Sequence, residues 1–162
     1  MATAIYPGSF DPITNGHLDI LERASHIFDE VVVAVLINTK KSGLFSNDER
    51  VAMIKAVTSH LPNVRVDSFS GLTAEYAKLN KANILIRGLR AVSDFESELR
   101  LALTNKKLNP SLETVFLMTS AENLFLSSST IKEIVSLGGS PAGMVPDLVA
   151  EQLVAKYRQN PL

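Results

Sequence analysis

The chain has 162 residues, 46% hydrophobic and 20% charged, with a formal net charge of −1 at pH 7. This length predicts about one domain, and the composition excludes a disordered or collagen-like chain. Because the net charge is close to zero, no global field attracts nucleic acid or anionic lipid, and any phosphate binding must be local. The absence of cysteine excludes disulfides, thiolate metal centres and a cysteine nucleophile, and it is compatible with the cytoplasm that we expect.

Membrane and export segments are not expected. The longest uninterrupted apolar run, residues 31–37, is far shorter than the roughly 18 residues that a membrane span needs. Residues 1–7 lack the basic region and the long apolar region of a secretory signal.

Short apolar runs alternate with amphipathic segments of helical length, a pattern that predicts parallel strands joined by crossover helices. The predicted strands are residues 2–6, 30–37, 64–69, 84–87 and 114–118. We therefore predict an α/β fold, with residues 1–162 forming a single domain. Its core is a Rossmann-like, doubly wound, five-stranded parallel sheet.

Helices are predicted between and after these strands. One covers residues 16–28, one follows Ser46, one covers residues 94–108, a short one follows Thr130, and the last runs from Pro146 to about Gln159. Three serine or threonine residues are followed three positions later by glutamate, as a capping box requires. These pairs are Ser46 with Glu49, Ser93 with Glu96, and Thr130 with Glu133.

The loops after the strands hold the candidate functional residues, because open α/β sheets bind ligands beyond the carboxyl ends of their strands. After the first strand, Gly8 allows close backbone approach, Ser9 supplies a hydroxyl, and His17 lies at a helix start that favours anions. Taken alone, His17 is equally compatible with a capping or core histidine. After the second strand come Lys40 and Lys41, although exposed lysines are usually only solubilising.

Arginine and serine follow the fourth and fifth strands. Arg87 and Arg90 flank Gly88 and Leu89. Two guanidinium groups at this place can bind phosphate oxygens in pairs. The alternative is that these arginines belong to a charged, solvent-exposed stretch without a ligand. The serines at residues 127–129 lead into a helix, where hydroxyls and unpaired N–H groups form a phosphate cradle. All four loops share one edge of the predicted sheet, so together they predict a polyphosphate-binding crevice. The chain lacks the Walker A and Gly-x-Gly-x-x-Gly patterns, which argues against P-loop NTPases and dinucleotide-dependent dehydrogenases.

Two segments resemble the nucleotidyltransferase superfamily. Residues 7–17 are PGSFDPITNGH and contain the Thr-x-Gly-His signature, while the more specific residues 87–96 are RGLRAVSDFE. With the serines at 127–129 and the pair Lys132-Glu133, the chain from about residue 3 to about residue 157 resembles the bacterial phosphopantetheine adenylyltransferase family. The first segment alone fits several adenylyl- and cytidylyltransferases.

The resemblance implies a reversible reaction in which ATP and 4′-phosphopantetheine give dephospho-coenzyme A and pyrophosphate. The expected mechanism is in-line attack without a covalent enzyme intermediate. Mg²⁺ accompanies ATP, and no metal bound by the protein's own side chains is expected. The expected assembly is a homohexamer that coenzyme A can inhibit, with no nucleic-acid or membrane partner.

The resemblance also implies roles for individual residues. The implied catalytic residues are Ser9, His17, Lys41 and Arg90. The implied ATP contacts are Ser9, Phe10, His17, Gly88, Leu89, Arg90, Glu98, Asn123, Leu124, Phe125, Leu126, Ser127, Ser128 and Ser129. The implied phosphopantetheine contacts are Ser9, Lys41, Thr73 and Arg87.

Lys41 is chosen over Lys40 because it stands four residues before Phe45. The chain departs from the family's usual residues at Thr73, Ser97 and the pair Asn123-Leu124, positions that affect the pocket lining.

Two alternatives stand beside this prediction. One is another adenylyl- or cytidylyltransferase of the superfamily, such as one acting on nicotinamide mononucleotide. The other is a catalytically silent nucleotide-binding regulator, against which the intact set of Ser9, His17, Lys41 and Arg90 argues. Release of pyrophosphate from ATP with 4′-phosphopantetheine discriminates all three.

Overall fold

Five parallel strands form the centre of the protein in a computed structural model, which describes residues 2–38 and 42–159 apart from the side chains of Val92 and Ser93. The strands are β1 (Thr3–Gly8), β2 (Glu30–Leu36), β3 (Val64–Phe69), β4 (Ile84–Leu89) and β5 (Glu113–Met118). They lie in the order β3-β2-β1-β4-β5, so the direction of winding reverses between β1 and β4. The predicted doubly wound parallel sheet is confirmed, and this reversal is where such sheets bind ligands.

Helices cover both faces of the sheet. Those in the described ranges are α1 (Asn15–Ile27), α2 (Asn47–Val57), α3 (Thr73–Leu79), α4 (Val92–Leu108), α5 (Ser128–Ser136) and α6 (Asp147–Gln159), with a 3₁₀ turn at Ala121–Asn123. Among these residues, no helix combines the length and the apolar character needed to cross a bilayer.

The apolar run of β2 shows why the sheet must be covered on both sides. Val31, Val33 and Val35 belong to the core cluster that includes residues of α1, α2, α5 and α6. Val32 and Ala34 point the other way, into the cluster that includes residues of α3. Since both sets are buried, the strand lacks the alternation of a half-exposed strand, as expected for a central parallel strand.

The structure corrects several predicted boundaries. The strand β4 continues two residues past its predicted end at Arg87, so Gly88 and Leu89 lie within the strand and not in a loop after it. The helix α1 begins one residue earlier than predicted, at Asn15. The helix α3 was not predicted, since it has only seven residues and the residue before it, Leu72, has no side chain that can cap the helix.

Of the three predicted capping boxes, only that of Ser46 and Glu49 is confirmed. The helix α4 begins after Ala91, so the Ser93 prediction is wrong. The helix α5 is capped by Ser127, whose hydroxyl accepts from the N–H of Thr130 at 3.1 Å, so the Thr130 prediction is wrong as well. Serine, threonine and glutamate also occur inside helices, where the same spacing arises without a helix start.

Candidate active site

A crevice of about 840 Å³ opens where the winding of the sheet reverses. It is lined by the loop after β1, the end of β4, one side of α1 and α4, and the start of α5. The predicted site residues that line it are Ser9, Phe10, His17, Thr73, Arg87, Gly88, Arg90, Glu98, Leu126, Ser127, Ser128 and Ser129. Segments more than 100 residues apart in the sequence thus meet in one cavity, as expected from their position after parallel strands.

Other predicted residues lie elsewhere. The side chain of Leu89 is buried in the core, and Asn123 lines a separate cleft of about 420 Å³. Leu124 and Phe125 are exposed, Phe125 to 67%. Lys41 lies outside the described residues, together with Lys40.

The loop after β1 is shaped by Phe10, whose ring covers Gly8. Phe10 adopts a left-handed backbone with φ of 47°. A Cβ atom on Gly8 would lie only 3.0 Å from the Phe10 ring, so a larger residue would push the ring away. The buried ring meets His17 edge-on, with centroids 5.1 Å apart, and so helps to fix the imidazole.

His17 is part of the cap of α1 and also faces the crevice. The backbone N–H of Thr14 donates to Nδ1 of His17 at 3.1 Å, and the backbone N–H of His17 donates to the Thr14 hydroxyl oxygen at 3.2 Å. Because Nδ1 accepts a hydrogen bond, the proton of the neutral ring is assigned to Nε2. Burial, reinforced by the positive charges of Arg90 and Arg87, lowers the pKa of His17 to about 4. The imidazole is therefore an uncharged hydrogen-bond donor at neutral pH.

Arg87 and Arg90 of the crevice already have anionic partners. Arg87 donates to both carboxylate oxygens of Glu98, at 2.6 and 2.7 Å, and to the carbonyl oxygen of Pro7 at 3.1 Å. Arg90 donates to the carbonyl oxygen of Leu126 at 3.0 Å, and its Nε lies 3.3 Å from a carboxylate oxygen of Asp94. A guanidinium group has five N–H donors, so each arginine is held in place and retains donors for a ligand.

The start of α5 provides backbone donors. Besides capping the helix, the Ser127 hydroxyl donates to the Thr130 hydroxyl at 2.8 Å. The Ser128 hydroxyl donates to the carbonyl oxygen of Pro12 at 2.8 Å and ties α5 to the loop after β1. These two hydroxyls therefore have structural roles, and the first N–H groups of the helix are the groups suited to an anion.

Sequence reasoning missed Asp11, whose carboxylate joins three segments that border the crevice. It accepts hydrogen bonds from the backbone N–H groups of Leu44 at 3.0 Å and Phe45 at 2.9 Å, and from the Lys132 ammonium at 2.9 Å. The loop after β1, the segment that leads into α2, and α5 therefore meet at one buried side chain. Asp11 and Lys132 both lie in the motifs quoted above, but only their contact in space reveals this role.

Arg50 of α2 completes this cluster. Its Nε lies 3.7 Å from a carboxylate oxygen of Asp11 and donates to the carbonyl oxygen of Phe45 at 2.9 Å, while Nη1 donates to the carbonyl oxygen of Ser9 at 3.2 Å. Arg50 is itself buried and lines the crevice. A Cβ atom on Gly43 would lie 2.3 Å from its guanidinium, so the chain at Gly43 must pass directly over Arg50.

The ionisation of Asp11 stabilises the fold. Burial alone would raise the pKa of the Asp11 carboxyl, but hydrogen bonds from Phe45, Lys132 and Leu44 outweigh burial and hold the pKa below its ordinary value. A carboxyl whose folded-state pKa is lowered stabilises the folded protein above its unfolded pKa, and this contribution is lost as the pH falls through the folded pKa.

Comparison with known proteins first defines the class. Residues 5–134 match the family model described as cytidylyltransferase-like, and the chain is a member of the nucleotidyltransferase superfamily. The crystal structure of a putative nicotinate-nucleotide adenylyltransferase from Vibrio parahaemolyticus is similar, with a TM-score of 0.74 over 99% of this chain and 98% of that chain. Its sequence is 19% identical, so this likeness shows the fold alone.

Proteins named phosphopantetheine adenylyltransferase are similar over nearly the whole chain. The one from Caldanaerobacter subterraneus subsp. tengcongensis is 55% identical, covering 99% of this chain and all of the relative. The one from a Picosynechococcus species is 58% identical, covering 98% of this chain and 89% of the relative. The chain belongs to the phosphopantetheine adenylyltransferase family, which is a family of enzymes, and the resemblance seen in the sequence is confirmed.

We expect Asp11→Asn to lower the free energy of unfolding by about 2 kcal/mol near pH 7, because Lys132 loses its buried anionic partner. The difference from the wild type should start to shrink as the pH falls below the ordinary carboxyl pKa of about 3.9. It should disappear only as the pH falls through the lower pKa of the folded state, where the wild-type carboxyl also becomes protonated. Urea unfolding over a series of pH values measures both effects. The exposed Asp48 serves as the control, since Asp48→Asn should change stability by less than about 0.5 kcal/mol. A loss independent of pH would contradict the role of the charge.

The His17 imidazole should remain neutral well below neutral pH. Carbon-13 NMR of the histidine rings, with His17→Gln to identify its signal, should give a titration midpoint near 4. This midpoint follows from burial beside two arginines. A midpoint near the ordinary value of 6.5 would show that the ring is solvated and charges near neutral pH.

Proposed function

We propose that the crevice binds ATP and 4′-phosphopantetheine together and catalyses reversible adenylyl transfer between them, giving dephospho-coenzyme A and pyrophosphate. Membership in the family supports this reaction. The observation that carries the proposal is one cavity lined by a neutral imidazole, by Arg87 and Arg90, and by a helix N-terminus. These groups suit the task of holding two phosphorylated ligands, which repel each other, in position for transfer.

The chemistry requires no general base. A phosphate monoester has a second pKa of about 6 and is already largely dianionic near neutral pH, so the acceptor can attack the α-phosphorus directly. His17 is suited to donating a hydrogen bond from Nε2 rather than to removing a proton, because Nδ1 is occupied by the N–H of Thr14. In-line displacement then needs positioning and stabilisation of charge on the α-phosphoryl group, without a covalent enzyme intermediate.

We assign roles to residues that line the crevice by their position, and to Lys41 on the family resemblance alone. His17 and Lys41 stabilise the α-phosphoryl oxygens, and Ser9 and Arg87 hold the incoming phosphate. Arg90 and the first N–H groups of α5 bind the β- and γ-phosphates, which leave as pyrophosphate. A preorganised donor of this kind contributes about 2.7–4 kcal/mol to lowering the barrier.

The pantetheine arm is proposed to pass Thr73 at the start of α3. Thr73 and Ser97 both line the crevice, so two of the departures from the family's usual residues face the cavity. The third, Asn123-Leu124, lies away from it, because Asn123 lines the separate cleft.

Mg²⁺ is proposed to arrive on the phosphates of ATP. Phosphate oxygens are among its preferred ligands, and it commonly uses few protein side chains. Within the described ranges, no group of three or more metal-ligating side chains could hold an ion. The nearby carboxylates of Asp11, Asp94 and Glu98 are engaged by Lys132, Arg90 and Arg87. Bound to ATP, Mg²⁺ would offset negative charge on the departing phosphates.

A homohexamer in the cytoplasm is proposed as the working form. Apolar side chains along α4 are exposed, namely Phe95, Leu99, Leu101, Leu103 and Leu108, with exposures of 39 to 63%. Exposed apolar patches of this kind mark association surfaces. Sedimentation equilibrium should give the mass of about six chains, and monomer mass would refute the assembly.

The reaction is tested by mixing the purified protein with Mg²⁺ and ATP and measuring pyrophosphate release. Release is expected with 4′-phosphopantetheine and not with nicotinamide mononucleotide. The reverse pattern would assign the chain to the alternative acceptor, and no release with either would leave a binding protein without turnover.

His17→Ala should lower kcat by roughly 100-fold or more and leave the KM for ATP nearly unchanged, because the imidazole acts on charge that develops in the transition state. Steady-state kinetics of pyrophosphate release give both constants. His26→Ala is the control, since His26 is exposed on α1 and its ring makes one hydrogen bond among the described residues, to the Glu22 carbonyl oxygen. An unchanged kcat in His17→Ala would remove His17 from the mechanism.

Lys41→Ala should raise the KM for 4′-phosphopantetheine and lower kcat, and pantetheine without its phosphate should not be a substrate. The neighbouring Lys40→Ala is the matched control and should behave like the wild type. Damage caused by Lys40→Ala alone would show that the wrong lysine was chosen, and turnover of pantetheine would show that the acceptor group is not the phosphate.

A further inference from the structure

Tyr6 of β1 is a crevice residue that neither the sequence motifs nor the mechanism above assigns. Its side chain lines the crevice but is only 5% exposed. Across residues 2–38 and 42–159, its hydroxyl has no hydrogen-bond partner. By contrast, the hydroxyl of Tyr76 donates to Asp67 at 2.7 Å.

The surroundings of Tyr6 place its phenol at the centre of the proposed reaction. Its ring packs edge-on against Phe10, with centroids 5.3 Å apart, and approaches His17 with centroids 6.5 Å apart. Among nearby charged groups, Arg87 has the largest electrostatic effect on the phenol, ahead of Asp19, Glu98 and Arg90. Burial raises the pKa of Tyr6 far above its ordinary value, so the hydroxyl keeps its proton and can donate it in a hydrogen bond.

Packing alone does not explain this hydroxyl. A phenylalanine would make the same edge contacts with Phe10 and His17 and would bury no polar group. No inaccessible side-chain nitrogen or oxygen of the described residues lacks a hydrogen-bond partner, so the unpartnered Tyr6 hydroxyl is open to the crevice. There it would make a strong hydrogen bond with an anionic oxygen. The hydroxyl therefore contributes to binding a ligand in the crevice and not to packing of the ring.

We propose that the Tyr6 hydroxyl donates a hydrogen bond to a phosphoryl oxygen of the acceptor substrate, beside Arg87. The acceptor is favoured over ATP because Arg87, the residue assigned to the acceptor phosphate, donates to the carbonyl oxygen of Pro7, which directly follows Tyr6 in β1. This inference rests on the proposed function, and Tyr6 then helps to select a phosphorylated acceptor.

The test is Tyr6→Phe, which removes one oxygen atom and keeps the ring. The kcat/KM for 4′-phosphopantetheine should fall roughly tenfold, the loss expected for one hydrogen bond to a charged group. The KM for ATP should stay within about twofold of the wild type. Tyr76→Phe is the matched control, since it removes a hydrogen bond outside the crevice and should leave both kinetic constants unchanged.

The outcomes separate this inference from the proposed function. Wild-type protein that releases no pyrophosphate would overturn the function itself. Active wild type together with unchanged kinetics in Tyr6→Phe would overturn only the role of Tyr6. A loss confined to the KM for ATP, or equal for both substrates together with a lowered melting temperature, would also overturn it. Such losses would indicate an ATP contact or general loosening of the crevice.

Discussion

The arrangement of the crevice depends on one buried carboxylate, that of Asp11. Its oxygens bind backbone N–H groups of the segment entering α2 and the ammonium group of Lys132 in α5, while its own backbone belongs to the loop after β1. Phosphate-binding donors are effective only when their positions are fixed before the ligand arrives. Asp11 supplies that fixation from within the protein, so the helix start and the loop after β1 face each other at a set separation.

Most cationic side chains of the crevice are paired with a carboxylate. Arg87, Arg90 and Lys132 each face a carboxylate, and His17 is uncharged. A carboxylate beside each cation offsets the repulsion between the cations, and the donors that these pairs leave unused are available to a ligand. Binding of anions then relies on directed N–H groups and a helix N-terminus more than on excess positive charge, which agrees with the chain's net charge of −1.

Periodicity predicted the strands, the sheet type and the convergence of the loops, because burial on both faces and the βαβ pattern are local properties of the sequence. The protonation state of His17 was not predictable, since it depends on burial beside Arg87 and Arg90, which lie about 70 residues away at the end of β4. The partners of Asp11 lie 33, 34 and 121 residues away, and no local pattern indicates such pairs. The two residues of β4 beyond Arg87 were missed because a charged residue after an apolar run favours a strand end, whereas Glu98 pairs with Arg87 inside the fold.

The contact between Asp11 and Lys132 has a consequence for the order of folding. Contacts between residues distant in sequence carry a high entropic cost of chain closure and form late. Leu44 and Phe45 can hold Asp11 once the segment before α2 is in place, but the bond from Lys132 forms only after α5 has docked. A nascent or truncated chain that ends before Lys132 therefore has the motif without its link to α5, and the crevice is complete only once α5 has docked.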